Sequence, residues 1–351
     1  MAFMHTMQPI TRATTPRVML SVVMASLPGL AGLVWFFGCG YLVHAVVCCL
    51  LCVAFEAGAL RLRQRPIAPA LQDGSALVTG WLLALALPPE CPGWLLVLAC
   101  GFAILVVKQL YGGLGFNLFN PAMAAYALLL VCFPREMNHW PSPRDLLTPE
   151  QNPTNIWQSL THLWSNTRVD ALATATPLDL VKHNQGYTLQ DLYGLQPQLR
   201  LGRWAGSGWE WVNLGFLIGG IWLLQQRLIR WHAPVGMVFS LALLAALGYD
   251  NGSSNSTGSP IFHLLSGATM LGAFFIVTDP VTCPTSPLGR FVFGAGVGTL
   301  VFCIRVWGDY PEGLAFAVLM MNLTAPSLDR LTAPRIFGQR PRPPSARADE
   351  S

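Results

Sequence analysis

Charge is what this sequence has least of. Asp, Glu, Lys and Arg make up 11% of its 351 residues, against about 25% in soluble domains. A chain this poor in charge, 53% hydrophobic and with mean hydropathy +0.46, is excluded from the soluble and disordered classes and falls in the membrane class. It lacks an acidic or basic tract, so no nucleic-acid partner is expected, although the tail after Arg330 is rich in Arg and Pro. Its one long polar stretch, 135–210, lacks cysteine. All nine cysteines (Cys39, Cys48, Cys49, Cys52, Cys91, Cys100, Cys132, Cys283 and Cys303) lie in or beside apolar segments, which argues against a disulfide framework. Cys48-Cys49-x-x-Cys52 has no second cluster and no His at ligand spacing, so it reads as small hydrophobes in a bilayer helix, and no metal site is expected. No glycine-rich phosphate loop follows a strand pattern, so this chain is not expected to hold a complete active site of its own.

What is there is a series of apolar runs. A spanning helix needs about 20 apolar residues. Ten candidates stand at roughly 18–38, 40–60, 75–89, 93–110, 119–134, 211–227, 233–250, 261–279, 288–306 and 310–326. The expected fold is an all-α polytopic membrane protein of about ten spans with one long outer loop. Five spans (1–134) precede the loop (135–210), five (211–326) follow it, and an Arg/Pro-rich tail (327–351) closes the chain. Segments 75–89 and 119–134 are short and carry Gly or Pro at an end. Such spans are tolerated where protein or a cavity covers the freed backbone groups, and they point to a site.

Basic residues set the expected orientation. With Arg12 and Arg17 inside, ten spans also place Arg61, Arg63, Arg65, Lys108, Arg227, Arg230, Arg290 and the C-terminal arginines inside, with Arg305 the one exception. Both termini are then cytoplasmic and loop 135–210 is periplasmic, in a bacterial inner membrane.

Two stretches read alike. "GWLLALALPPECP" from Gly80 and "GAFFIVTDPVTCP" from Gly272 share G-x7-P-x-x-C-P, and "GLGFNLFN" from Gly113 faces "GLAFAVLM" from Gly313. Spans three to five then correspond to spans eight to ten. An offset of five reverses the crossing direction, giving an inverted repeat with a midplane site between the halves. The polar groups near its breaks are Asn117, Asn120, Thr278 and Asp279. Asn120 and Asp279 are candidates for an ion path, although Asn-Pro and Asp-Pro also read as helix punctuation. Glu56 and Lys108 sit near the inner ends of their spans, where they can snorkel or act. His44 and His263 read as satisfied helix-end histidines rather than a haem pair.

The polar loop contains "DALATATPLD", Asp170 to Asp179. Pro177 disfavours helix at Thr176, which leaves an accessible hydroxyl on a non-helical segment among small neighbours. Thr176-Pro177-Leu178-Asp179 also fits an N-cap with Pro at the first position and an acid at the third.

Through these motifs the chain resembles the D subunit of the Rnf electron-transport complex (Rsx in enteric bacteria). It is more distantly similar to the B subunit of the sodium-translocating NADH:quinone oxidoreductase. The stretches that carry the resemblance are "DGSALVTGWLLALALPP" from Asp73, "GGLGFNLFNPAM" from Gly112, "ATATPLD" from Ala173 and "HLLSGATMLGAFFIVTDPVT" from His263. In that family a threonine in D-x-x-[ST]-x-A-T bears FMN through a phosphoester bond, installed by a separate flavin transferase. The resemblance places the motif's acid at Asp170 and the acceptor at Thr176, followed by Pro177 and Leu178. Ala173 stands where Ser or Thr is common, and the extra hydroxyl is at Thr174. Ser266-Gly267-Ala268-Thr269 imitates the motif inside the eighth span and reads as small-residue helix packing.

The resemblance implies a flavin-bearing subunit that relays electrons between NADH and ferredoxin, or a related low-potential acceptor, coupled to Na+ or H+ movement. It implies iron–sulfur, flavin and membrane subunits as partners, and leaves room for a second, non-covalent flavin between the spans. Two other readings make different predictions. A stand-alone channel or secondary transporter on the inverted-repeat scaffold needs no chromophore, and a structural subunit has no use for Thr176.

Overall fold

A computed structural model describes residues 14–147, 154–164, 174–184, 186–310 and 312–333. Asp170, Ala173, Arg12 and the tail beyond residue 333 lie outside the described residues. All ten apolar segments are helical. Helices α1 (Thr15–Phe37) and α2 (Gly40–Leu62) lead to the short α3 (Ile67–Leu71). Then come α4 (Ser75–Ala86) and α5 (Gly93–Gly101), the latter running on as a π-helix over Phe102–Gln109. Helices α6 (Pro121–Cys132) and α7 (Pro134–Met137) close the first half. The polar region holds α8 (Ile156–Trp164), α9 (Pro177–Lys182), α10 (Leu189–Leu195) and α11 (Pro197–Arg200). The second half has α12 (Trp209–Gln225), α13 (His232–Leu247), α14 (Pro260–Leu265), α15 (Thr269–Leu271) with a π-helical continuation over Gly272–Ile276, α16 (Pro287–Trp307) and α17 (Leu314–Thr332). No β-strand occurs among the described residues.

Three helices, α1, α2 and α16, are long and apolar enough to cross a membrane; α4, α5 with its π extension, α6 and α13 are shorter and apolar. Two segments differ from expectation. The eighth is not one helix, because it opens at Ser266–Ala268 between α14 and α15. The tenth does not stop at 326: α17 continues to Thr332 with Pro326 inside it, which an apolar setting tolerates when neighbours re-satisfy the freed carbonyl.

The two halves interlock through α1 and α12, which run antiparallel. Their approach is set by small residues, since a Cβ on Gly215 would stand 2.7 Å from the Pro28 carbonyl oxygen. Helix α4 packs on α2, and α16 packs on α13 and α17. A second, smaller core at the loop end joins Leu178, Val181, Leu192 and Leu199 to Phe262 and Leu265. It seats the polar region on the break in the eighth segment.

Candidate functional site

At the loop end, Thr176 caps α9. Its hydroxyl donates to Asp179 Oδ2 at 2.5 Å, its backbone N–H reaches the same oxygen at 3.0 Å, and the Asp179 N–H returns to Thr176 Oγ1 at 3.3 Å. Pro177 occupies the first turn. This is the capping box that the residue pattern allows. The two side-chain hydrogen bonds of this cap recur at Thr188 with Asp191, so the cap alone carries no function. What sets Thr176 apart is its place at a slot between the loop and the bundle.

Leu33, Leu85, Met123, Leu130, Val212, Phe216 and Leu271 wall that slot, Trp140 and Trp209 stack edge-to-face beside it, and Thr176, Pro177 and Leu178 line it. The space measures about 920 Å³ including the part open to solvent. Three groups bring polarity. Glu312, Tyr41 and Tyr126 all line it, and both tyrosines are more than nine-tenths buried, with no hydrogen bond from either hydroxyl to another described residue. Nine-tenths-buried phenols normally find a partner. Two bare ones in an apolar, aromatic slot fit a planar ligand with a polar edge, such as the flavin ring that the motif implies.

The other two threonines do not share this position. Thr174 is exposed, and its backbone N–H donates to the Trp140 carbonyl at 3.0 Å. Thr269 is fully buried; its hydroxyl lies 2.9 Å from the His263 and Ser266 carbonyls and accepts from Arg305 Nη2 at 2.9 Å. It is therefore more than small-residue packing: it closes the break in the eighth segment.

That break is held by Arg305 together with Glu312 and Asn213, two residues that the sequence pattern did not single out. Arg305 Nη1 donates to the His263 carbonyl at 2.8 Å, and Nη2 reaches both Glu312 oxygens at 3.1 and 2.8 Å. Glu312 accepts from the Ala268 N–H at 2.9 Å. Asn213 of α12 donates to the Leu265 and Gly267 carbonyls and accepts from the Met270 N–H. A lone Asn within the apolar run "VNLGFLIGG" was the available signal. Arg305, the exception to the charge pattern, is paired rather than misplaced. One turn beyond the cap, Lys182 donates to the Tyr310 carbonyl at 2.7 Å; burial holds its ammonium below the usual lysine range, with Asp179 and Asp309 opposing.

A second pocket of about 1250 Å³, again counting open space, lies at the far end of the bundle. Asn117, Asn120, Thr278 and Asp279 all line it, with Ser75 and Lys108. Asn120 Nδ2 donates to Asp279 Oδ2 at 3.2 Å across the two halves. Asn120 also caps α6 through the Met123 N–H at 3.2 Å, the punctuation expected of Asn-Pro. Asp279 does not start a helix, since the next begins at Pro287. Its carboxylate instead gathers the Val281 N–H, the Thr282 hydroxyl and Asn120. Both π-helical segments end beside this pocket, one at Lys108–Gln109 and the other just before Thr278. Such segments concentrate at functional sites.

Lys108 and Glu56 do not snorkel. Their side chains are 2% and 3% exposed, with Nζ 2.7 Å from Oε1 and 2.6 Å from Ser75 Oγ. His44 and His263 are not brought together: His263 Nε2 lies 2.9 Å from the Thr257 carbonyl and His44 packs near Cys91. Among the described residues no cluster of His, Cys, Asp and Glu has metal-holding geometry.

The two pockets are lined by corresponding parts of the two similar stretches. Gly74 (φ +75°) precedes α4 and Gly267 (φ +58°) precedes α15, each in the left-handed region. In each half a cation (Lys108, Arg305) pairs with a glutamate and reaches a hydroxyl at a helix start, Ser75 of α4 or Thr269 of α15. The far pocket uses the start of span three and the end of span eight, whereas the slot uses the end of span three and the break in span eight.

Comparison with known proteins gives a consistent result. Curated relatives, each named as the D subunit of an ion-translocating oxidoreductase complex, match over most of the chain. The relative from Cellvibrio japonicus is 54% identical over 327 residues, covering 93% of this chain and 92% of the relative. That from Ectopseudomonas mendocina is 51% identical with the same coverage. A third, from Salmonella newport, is 48% identical over 337 residues, covering 93% and 95%. Residues 5–338 match the NQR2, RnfD, RnfE family. With its apolar helices and that coverage, the chain is a multi-pass membrane protein that belongs to the NQR2, RnfD, RnfE family.

Proposed function

We propose that the chain is a membrane subunit of an ion-translocating oxidoreductase complex and carries FMN on Thr176. The supporting observation is the slot: the Thr176 hydroxyl stands at the edge of an apolar, aromatic cavity lined by two buried tyrosines that make no hydrogen bond to another described residue. When bound, a flavin supplies one- and two-electron transfer chemistry, and the protein supplies attachment, orientation and tuning. Thr176 would provide the oxygen of the phosphoester. Trp140, Trp209 and the aliphatic walls would exclude water, and Tyr41 and Tyr126 would offer hydrogen bonds to the polar edge of the ring. Glu312, held by Arg305, would set the charge beside it. Asp170, Thr174, Pro177 and Leu178 would present the segment to a flavin transferase.

In this reading the complex moves electrons between NADH and ferredoxin, or a related low-potential acceptor, coupled to Na+ or H+ movement. Iron–sulfur and flavin subunits come from other chains. The membrane is a bacterial inner membrane crossed about ten times, with both termini cytoplasmic and loop 135–210 periplasmic.

The far pocket is proposed for a second, non-covalent flavin. What favours this over an ion path is the correspondence with the Thr176 slot that the inverted repeat would give it. Asn120 and Asp279 stay ion-path candidates, and Asp279→Ala separates the two. Loss of the flavin released on denaturation supports the first; retained flavin with impaired ion transport supports the second.

The decisive test is a denaturing gel of protein made with a flavin transferase, imaged for flavin fluorescence. A fluorescent band lost in Thr176→Val and kept in Thr174→Val and Thr269→Val is expected. Loss with Thr174→Val instead moves the attachment two residues. A dark band in every lane, with the transferase active on another substrate, rejects the flavin reading and favours a channel or transporter without chromophore.

A further inference from the structure

Helix α8 meets three environments, and the fold accounts for two. At about 100° per residue, Ser159 and Leu163 share one side, and both are buried where α8 packs on α2 and α5. Gln158 and Thr161 share a second side, which is polar and exposed. Ile156, Trp157, Leu160 and Trp164 fall within the remaining arc of about 100°. All four are exposed, Trp157 at 78% and Trp164 at 90%. The helix contains no Asp, Glu, Lys or Arg. Two bare tryptophans on an uncharged apolar face are not built for water.

The height of α8 on the bundle is fixed at both ends. Just before it, the Thr154 carbonyl accepts from the Cys39 N–H at 2.9 Å, at the turn between α1 and α2. At its other end, the Leu163 carbonyl lies against Gly93, where an added Cβ would stand 2.8 Å from the oxygen. The helix therefore sits level with the ends of α1, α2 and α5. That level is marked by other exposed tryptophans: Trp35 at the end of α1, Trp94 at the start of α5, Trp211 at the start of α12 and Trp307 at the end of α16. Tryptophan concentrates where a bilayer meets water, and an amphipathic helix with such residues on one face lies in that plane.

We propose that α8 lies flat in the interfacial layer of the bilayer. Ile156, Trp157, Leu160 and Trp164 face the acyl chains, Gln158 and Thr161 face the water, and Ser159 and Leu163 face the bundle. The occupant of the apolar face is lipid, because that face continues the ring of exposed tryptophans around the same end of the spans.

The test places the photo-crosslinking residue benzoylphenylalanine at Trp157, Leu160, Trp164 and, as the water-facing control, Gln158. Each variant is the full chain, irradiated in the membranes of the cells that make it and analysed by mass spectrometry. Phospholipid adducts at 157, 160 and 164, several-fold above position 158, are expected. Protein adducts at 157 and 164 would overturn the proposal and assign the face to a partner chain. Adduct yields at all four positions as low as at 158 would overturn it in favour of a solvated face. None of these outcomes depends on whether Thr176 carries flavin.

Discussion

At the far end of the bundle a lysine closes the buried charge cluster; at the loop end an arginine does. Lys108 faces a helix start that is already arranged. Asp73 accepts from the Ser75 hydroxyl and backbone N–H, at 2.5 and 2.6 Å, so a single ammonium between Ser75 and Glu56 completes the set. Arg305 faces a broken helix whose His263 and Ser266 carbonyls need donors, and it serves both while also holding Glu312. A point charge suffices in the first case. In the second, a planar fork reaches several acceptors at once. The two ends thus each use one cation, and its chemistry follows how many backbone groups the local structure leaves open.

The comparison is broken hardest at Lys108. Lys108→Met leaves the buried Glu56 carboxylate with the Gln109 amide but no countercharge, and a loss of about 3–5 kcal/mol in unfolding stability is expected. The double variant Glu56→Gln/Lys108→Met should recover most of it, because no unpaired charge remains. Equal losses in single and double variants would show that packing, not charge, is what matters there. Arg305→Lys tests the fork and should cost about 1–3 kcal/mol through carbonyls left bare. The parallel Glu312→Gln should cost less than Glu56→Gln, since the Glu312 side chain is 19% exposed against 3% for Glu56.

Smaller still is the cap. Thr176→Val and Thr188→Val should each cost about 1 kcal/mol, measured by thermal unfolding, yet only the first should remove flavin fluorescence. That difference separates a cap from a cap beside a slot. The smallest effect is one of pH. Burial lowers the Lys182 pKa in the folded state, so the folded protein binds that proton less readily than the unfolded chain. The resulting penalty is complete at neutral pH and fades as pH rises through the folded value toward the ordinary lysine range near about 10.4. Melting temperatures of the wild type should therefore gain on Lys182→Met with rising pH. Variants of the Lys108 cluster serve as the reference.

Much of this was legible in the residues. Apolar run lengths gave the helices because a bilayer-facing segment must satisfy its own backbone groups. The shared G-x7-P-x-x-C-P pattern drew attention to Asn120 and Asp279, which meet at 3.2 Å, but it did not mark the opening at Ser266–Ala268. Thr176-Pro177-Leu178-Asp179 spelled its own cap. Pairings across long separations were not legible. Nothing adjacent in sequence says that Glu56 meets Lys108 rather than the interface, that Thr269 serves Arg305, or that Asn213 staples a break 52 residues away. Those depend on which helices become neighbours.

The sequence by itself determined that this is a multi-span helical membrane protein, where most of its helices lie, and which threonine caps a helix beside a proline. These follow from local rules of hydropathy and backbone conformation, which act within a few residues. Only the tertiary structure decided that the cap overlooks an apolar slot lined by Tyr41 and Tyr126, that Glu56 meets Lys108 and Glu312 meets Arg305, and that a pocket lies at each end of the bundle. These follow from packing, which brings together groups that the chain itself keeps far apart.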